Sequence, residues 1–579
     1  VRLGVYAALL YVSWNHNLLG LPDRIGWSRD GVRAGALGSE ANLVAARVAR
    51  PDLPALHPLI LVGPGDHWQP YTSQVGLTGI VVAAVPLPPE WVVPAAAAAM
   101  ALAAAAVVAA VLVGGQRWLG PPAGDIGCAL AAASPAFLPV APSLYWALGL
   151  MLLPFALVWC LAPRAAGRGR CALLAAAVAL AVLAKCLCGY EYVTTVVLAP
   201  VAAAWFHLHR AAAPLGRRVA TAVVVTVAGL AGFAGALGLH VAQHQFVMGT
   251  DGVAAIRDRA TARTVADPTA EAGASGSRVR VAARCFWGFF EQPAVSVAGG
   301  FGRVRADVPL KWVAGAALAL AAAAGLARAR LPRAAVGLAG AVVLGLAAGV
   351  SWQVLAVNHM CVHDHLNRVV FVVPFLPLAF LAVGTAVGLL ARWAGPAALV
   401  LVGVTMAVNL ATAPGRAADD DADQRAAEAA VADVLKAPRP ADARVSGVVD
   451  SALPAGAVPT SNLADFGWLD LRTGAAADPG ALVVQGWVAG GPLRATRPAT
   501  RVVAVVGDRV VPCDQLRFRR RDVEAALGRP VPGAGYVVRV PAAALATGGA
   551  LRLFGVGPDG AVTELTAAAG APATPPAAP

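Results

Sequence analysis

The chain has 579 residues, of which 58% are hydrophobic and 13% charged, and its mean hydropathy is +0.67. That balance excludes a soluble globular protein and fits a polytopic α-helical membrane protein. The formal charge of +13 is nearly all arginine, the lysines being Lys185, Lys311 and Lys436. Membrane topology explains those arginines better than a nucleic-acid partner does, so no nucleic acid is expected.

Eleven apolar segments follow one another at about 1–14, 93–114, 125–140, 144–162, 171–188, 192–207, 219–241, 310–327, 334–356, 369–391 and 395–412. The first is short for a span and reads as the remainder of one; a signal peptide is the alternative, although no small-x-small cleavage site follows closely. Several others fall below the roughly 20 residues a perpendicular span needs, so flanks or a thinner bilayer must make up the length. The segments are rich in Ala and Gly, which lets helices approach closely. The eight cysteines are scattered, and Cys186-Leu-Cys188 lacks the spacer of zinc and redox motifs, so they read as small buried side chains.

Arginine placement orients the segments. Arg117, the group Arg164, Arg168 and Arg170, the group Arg210, Arg217 and Arg218, the group Arg328, Arg330 and Arg333, and Arg392 all fall on one side if every segment spans once. The positive-inside rule makes that side cytoplasmic. The other side then receives outer loops 15–92 and 242–309, the link Gly189-Tyr190-Glu191-Tyr192, the stretch 358–368 and everything after about 413.

Within loop 15–92, Ser39-Glu40-Ala-Asn-Leu-Val-Ala-Ala-Arg47 has apolar residues at helical spacing and predicts an amphipathic helix at the interface. Pro64-Gly-Asp66-His-Trp-Gln-Pro-Tyr71 is aromatic and turn-rich, as headgroup-level segments are. In loop 242–309, an Ala/Gly/Ser-rich run to about 277 predicts a mobile piece, and Cys285-Phe-Trp-Gly-Phe-Phe-Glu291 predicts an interfacial one. Residues 1–412 thus form a transmembrane domain, and 413–442 a linker that reads as a solvated helix ended by Pro438 and Pro440. Residues 443–569 carry strand-like runs at Arg444–Val449, Leu482–Val488, Arg501–Val511, Tyr536–Val540 and Leu551–Val556. Hairpin signals stand at Val506-Gly-Asp-Arg509 and Gly557-Pro-Asp-Gly560, so an extracytoplasmic all-β sandwich is expected, with Trp487 in its core. The Ala/Pro-rich tail 570–579 reads as disordered.

Three features of the outer face carry candidate chemistry. Glu40 is a carboxylate able to act as general base on an acceptor hydroxyl, although by composition alone a solvated helix charge is the simpler reading. Lys185, at the outer end of an apolar helix, suits a lipid phosphate or merely snorkels, and Glu191 is placed to pair with it across the turn. The third feature is Asn358-His-Met-Cys-Val-His-Asp-His-Leu-Asn-Arg368. His359 and His363 are four apart and His365 adds a third imidazole, a spacing that admits a divalent metal without matching an established zinc signature. The alternatives are phosphate binding, with Arg368 gripping oxygens bidentately, and a self-satisfied polar cluster.

The order and sidedness of these pieces resemble the polyprenyl-phosphate-sugar-dependent glycosyltransferases of the GT-C type. Ser39-Glu40-Ala…Ala-Arg47 is similar to that family's Asp-Glu-Ala…Ala-Arg pattern, with Ser39 where the first Asp often lies. His365-Leu-Asn-Arg368-Val…Pro374-Phe-Leu-Pro377 resembles its His/Arg-aromatic…Pro…Pro segment, with Val369 replacing the aromatic. The resemblance covers about 1–412 and implies a membrane glycosyltransferase that moves a sugar from polyprenyl phosphate to an extracytoplasmic glycan or glycolipid acceptor. It implies Glu40, with Asp66 as fallback, as base, and Lys185, His363, His365 and Arg368 as phosphate ligands. Tyr190, Glu191 and His359 would line the substrate cavity. The resemblance fixes no cofactor, and dependence on a divalent metal stays open. The β region resembles modules attached to bacterial cell-surface glycan enzymes. The competing classes are a lipid-linked glycan flippase and a non-catalytic scaffold presenting the β region.

Overall fold

Proline punctuates the apolar runs, and several helices begin where it permits. Helices start at Pro88 and Pro89, Pro121, Pro214, Pro309, Pro332 and Pro374, each an N-cap or first-turn position that lacks no needed N–H. In the computed structural model of the chain the described residues are 1–19, 52, 54, 56–61, 68–70, 72–164, 167–264, 278–299, 304–357, 360, 369–436, 445–454, 482–490, 501–511, 514–518, 535–546, 549–556 and 562–567. They divide into a helical unit, to which the described residues of Val1–Pro22, Ser39–Ile60 and Pro70–Leu410 belong, and a second unit, to which those of Leu61–Gln69 and Ala411–Pro579 belong.

The helical unit is built from α1 (Arg2–His16), the short α2 (Leu77–Ala83), α3 (Pro89–Leu119), α4 (Pro121–Ala132), α5 (Leu148–Leu161), α6 (Arg168–Cys188), α7 (Val193–Arg210) and α8 (Leu215–Gln243), which runs into a π-turn at His244–Met248. Then come α9 (Gly252–Thr264), α10 (Arg278–Phe290), α11 (Leu310–Leu326), α12 (Arg333–Leu355), the single turn α13 (Val369–Val372), α14 (Phe375–Leu390) and α15 (Ala394–Lys436). Among the described residues, Trp91–Leu119, Arg168–Cys188, Leu215–Met248, Arg333–Leu355 and Ala394–Ala411 are long and apolar enough to cross a bilayer. The chain is thus a multi-pass membrane protein. Leu173, Leu180, Val223, Val227 and Leu230 turn outward on α6 and α8, where lipid rather than water is the solvent.

The helix ends sort into two sets. At one end Tyr6 of α1 donates to buried Asp125 of α4, and Gln116 of α3 donates to the Pro121 carbonyl (3.0 Å). There Trp118, Trp159, Phe206 and His207 gather from the C-termini of α3, α5 and α7. Arg218 meets His209 (2.8 Å) at the same end, so the arginine-bearing connections lie together, as the charge pattern predicts. At the other end Trp14 stacks on Phe137 (centroids 4.5 Å), Asn409 donates to the Leu18 carbonyl (2.8 Å) and Tyr192 meets Trp352 edge-on (5.6 Å).

Three sequence readings shift. The expected segments 125–140 and 144–162 are separate helices α4 and α5, and 133–147 between them is a largely buried irregular connection. Pro135, Pro139 and Pro142 withhold the N–H groups a continuous helix would need. The segment 369–391 is one turn and then α14, broken at Pro374. The loop before α11 contains a hairpin of β3 (Pro293–Gly299) and β4 (Val304–Pro309), which follows the pair β1 (Leu59–Leu61) and β2 (Trp68–Pro70) in strand order. Its Ser296 N–H donates to the Ala133 carbonyl (2.9 Å), and Ser296 Oγ donates to Asp307 (2.7 Å).

The second unit holds β5 (Val445–Pro454), β6 (Leu482–Gly490), β7 (Arg501–Val506), β8 (Arg509–Val511), β9 (Asp514–Phe518), β10 (Gly535–Val540), β11 (Leu551–Val556), β12 (Val562–Glu564) and β13 (Thr566–Ala567). They make one sheet in the order β13-β5-β6-β10-β9 and another in the order β12-β11-β7-β8. The expected turn at 506–509 is present, with Val506 opposite Arg509 and Gly507 at φ 61°. Val502, Ala504 and Val506 of β7 share a buried cluster with Tyr536, Val538 and Val540 of β10. The alternate residues Val503 and Val505 are also buried, because Ala427 and Val431 of α15 cover the face they form with Phe554 and Val556 of β11. The reading of 413–442 as a solvated helix is therefore corrected: one stripe of α15 is core.

On β11 and β12, Arg552 donates from Nε and Nη2 to Glu564 (2.8 and 2.6 Å). This bonding holds the Glu564 carboxyl below the usual carboxylate range. A depressed folded-state pKa contributes stability above the unfolded value of about 4.3, and that contribution is lost as pH falls through the folded value. Both side chains are more than a third exposed, so the pair contributes about 0.5 kcal/mol or less. Denaturant midpoints at pH 7 and pH 3 are expected to fall slightly further in the wild type than in Glu564→Gln.

Candidate active site

The best-defined polar structure at the end opposite the arginines is the turn that closes α6. Gly189 ends the helix in an extended conformation, and its N–H donates to the Lys185 carbonyl (3.1 Å). Lys185 returns the contact: its Nζ donates to the Gly189 carbonyl at 2.6 Å. The cation therefore sits on the carbonyl end of the helix, where the macrodipole favours it. Lys185 is 1% exposed and Glu191 2%, so the lysine does not snorkel into solvent. A Cβ added at Gly189 would lie 2.6 Å from Gln74 Oε1 and 2.7 Å from Glu191 Oε2. An amide oxygen and a carboxylate oxygen thus converge on one bare Cα, directly beside the lysine's carbonyl anchor.

Neighbouring elements fix this turn on three sides. Tyr190 donates its hydroxyl to the Ala236 carbonyl of α8 (3.2 Å) and lies against His240 (5.6 Å). Burial first, then Cys186 and Glu191, push its phenol well above the usual range, so it remains a donor. His240 and His244 share a face of α8 at its π-turn, with ring centroids 4.8 Å apart. His244 Nδ1 meets Thr250 Oγ1 (2.8 Å), while both ring nitrogens of His240 are buried without a hydrogen bond. From loop 15–92, Gln74 reaches Gly189, and Gln243 of α8 donates to that loop's carbonyls of Leu56 (2.8 Å) and Val75 (3.4 Å). On the far side Tyr192, in the left-handed region at φ 63°, starts α7. Thr195 donates to the Ala348 carbonyl (3.0 Å), and Ser351 donates to Thr194 Oγ1 (2.9 Å), so α7 is pinned to the last turns of α12.

Of the residues singled out in the sequence, the structure brings together Lys185, Tyr190 and Glu191. Glu40, Asp66, His359, His363, His365 and Arg368 lie outside the described residues, as does the expected helix after Glu40. Their described neighbours are firmly packed. Met360 is buried, and Phe371, three residues after Arg368, packs against Phe290 of α10 (5.2 Å). The side chain of Trp487 and the tail 570–579 are likewise outside the described part. Among the described residues no group of three or more His, Cys, Asp or Glu side chains could hold a metal ion.

Sequence reasoning missed Gln74, His240, Gln243 and His244. A signal for the histidines existed, since His240 and His244 repeat the four-residue spacing of His359 and His363 at the outer end of an apolar run. No such signal exists for Gln74, whose part depends on a contact across more than a hundred residues of chain.

No family model matches the chain, and no curated protein matches it. Among solved structures it is similar to the crystal structure of ArnT from Cupriavidus metallidurans bound to undecaprenyl phosphate. The identity is 17%, with 93% of this chain and 96% of that chain covered, and the TM-score is 0.30. A score that low fixes neither a shared fold nor a shared activity.

Proposed function

We propose that the chain is an integral membrane glycosyltransferase of the GT-C type, moving a sugar from polyprenyl phosphate to a glycan or glycolipid acceptor outside the cytoplasm. The observation that supports this best is a buried lysine set beside a buried glutamate, at the membrane end away from the arginines. Such a pair is costly to keep in a bilayer protein, and functional sites are where that cost is usually found. The sugar's anomeric carbon is attacked by the acceptor oxygen, and its bond to the phosphate oxygen breaks. Negative charge grows on the leaving phosphate, which Lys185 would stabilise together with His363, His365 and Arg368. Glu40, or failing it Asp66, would take the acceptor's proton. Tyr190, Glu191 and His359 would line the cavity, with Gln74 contributing from the first outer loop.

In this reading the C-terminal β region is an extracytoplasmic sandwich module that holds glycan or docks a partner. Membranes carrying the chain and supplied with polyprenyl-phosphate sugar should show transfer. Glu40→Gln and His365→Ala are each expected to lower the rate by about 10²-fold or more, by the usual scale of a lost base or phosphate donor. Full activity in both would remove these site assignments.

A further inference from the structure

The arginine-bearing end contains a second polar arrangement that the glycosyl-transfer reading does not use. Trp118, on the last turn of α3, meets His207 edge-on (4.7 Å), Phe206 (5.5 Å) and Trp159 (5.6 Å). Arg210, the last residue of α7, lays its guanidinium over the Trp118 ring at 5.5 Å. This is a cation–π contact on an aromatic floor.

Three arginines at this end bond to protein. Arg218 lies over Trp205 in the same manner, but it donates to the Ala213 carbonyl (2.8 Å) and meets His209 Nδ1 (2.8 Å). Arg164 donates to the Cys160 carbonyl (3.0 Å), and Arg170 to the Arg164 carbonyl (3.3 Å). Arg210 differs. Its Nε is buried and has no hydrogen-bond acceptor, and among the described residues no carboxylate pairs with it. Arg117 stands on the last turn of α3 beside Trp118, and Arg164 donates to the Cys160 carbonyl at the end of α5, so further positive charge stands at this end. Guanidinium groups gathered in this way repel one another unless an anion sits among them. The positive-inside rule asks only that arginines be on this side; it does not ask for a buried N–H left without an acceptor above a tryptophan.

We propose that Arg210, laid over Trp118, together with Arg117, the residue before that tryptophan on α3, holds the phosphodiester headgroup of an anionic phospholipid from the leaflet at this end. A phosphodiester presents two oxygens to a guanidinium fork. Trp118 is half-buried at a helix end, the level at which tryptophans meet headgroups. Leu161, one residue from Cys160, is turned outward and offers apolar surface for an acyl chain. A basic pocket between helix ends at this level is the usual form of an anionic-lipid site.

The test uses the full chain, purified in neutral detergent and stripped of lipid. Dioleoylphosphatidylglycerol, dioleoylphosphatidylcholine and inorganic phosphate are added separately, with native mass spectrometry and the thermal midpoint as readouts. The anionic lipid is expected to bind and raise the midpoint, and the zwitterionic lipid and inorganic phosphate are expected not to. Arg210→Gln should weaken the anionic lipid about fivefold. Arg330→Gln, an exposed arginine of the same end outside the cluster, should leave it unchanged. If Arg210→Gln fails to fold, Arg117→Gln, at an exposed position, should give the same weakening. The proposal is overturned if the folded variants bind the anionic lipid as the wild type does, or if inorganic phosphate alone reproduces the stabilisation.

Discussion

Replacing Lys185 with methionine is expected to lower kcat by about 10² to 10³-fold, the range seen when one donor to developing charge is removed. The substitution leaves an unbranched side chain one atom shorter and removes its charge. The anchor on the Gly189 carbonyl (2.6 Å) is lost, and that buried carbonyl is left without the lysine's hydrogen bond. A folding penalty of about 1–3 kcal/mol accompanies it. The two effects separate in steady-state kinetics on the folded fraction. A lysine that works in the transition state lowers kcat and kcat/KM together, whereas one that merely positions the substrate raises KM. A purely structural lysine would lower the thermal midpoint while leaving the kinetics of the surviving protein intact. That last result would remove Lys185 from the mechanism without touching the fold.

The largest effect on folding is expected at Gly232 of α8. A Cβ there would fall 2.1 Å from the carbonyl oxygen of Ala179 and 3.0 Å from the Leu183 nitrogen, both backbone atoms of α6. No side-chain rotation relieves a clash with backbone, so Gly232→Ala must separate the two helices. The cost should exceed the roughly 3 kcal/mol typical of overpacking, and the variant is expected not to accumulate folded in membranes. Gly238, six residues further along the same helix, is the matched control, since a Cβ there meets nothing within 4 Å. Gly238→Ala should be neutral or slightly stabilising, by up to about 1 kcal/mol of helix propensity. Equal accumulation of the two variants, measured by detergent-extracted yield and thermal midpoint, would contradict the close approach of α6 and α8.

Much of the helical unit was legible because most of its long helices are runs of apolar residues closed by arginine or opened by proline, both local signals. The readings that failed needed information from elsewhere in the chain. At 133–147 hydropathy alone gave helix; the prolines were visible, but that the irregular backbone between them is buried is a tertiary fact. The β3–β4 hairpin carries no comparable local signal, its strands lying in a loop between a small-residue run and α11. In the second unit Ala427 and Val431 are four apart, a legible stripe, but the charged residues around them suggested solvent until the apolar outer face of β7 supplied a partner. The candidate site divides in the same way. Lys185, Tyr190 and Glu191 stood out because polar residues are rare beside apolar runs. Gln74 and His240 became visible only when the first outer loop and the end of α8 met over Gly189.

The stripe of α15 that covers β7 and β11 also bears on how the C-terminal unit could be prepared as a free-standing fragment. A cut at about residue 443, where strand content begins, would strip Ala427 and Val431 away and expose Val503, Val505, Phe554 and Val556 as one apolar sheet face. Such a face is a self-association hazard. A soluble fragment therefore has to start upstream of Ala427, carrying the amphipathic half of the helix as its own lid.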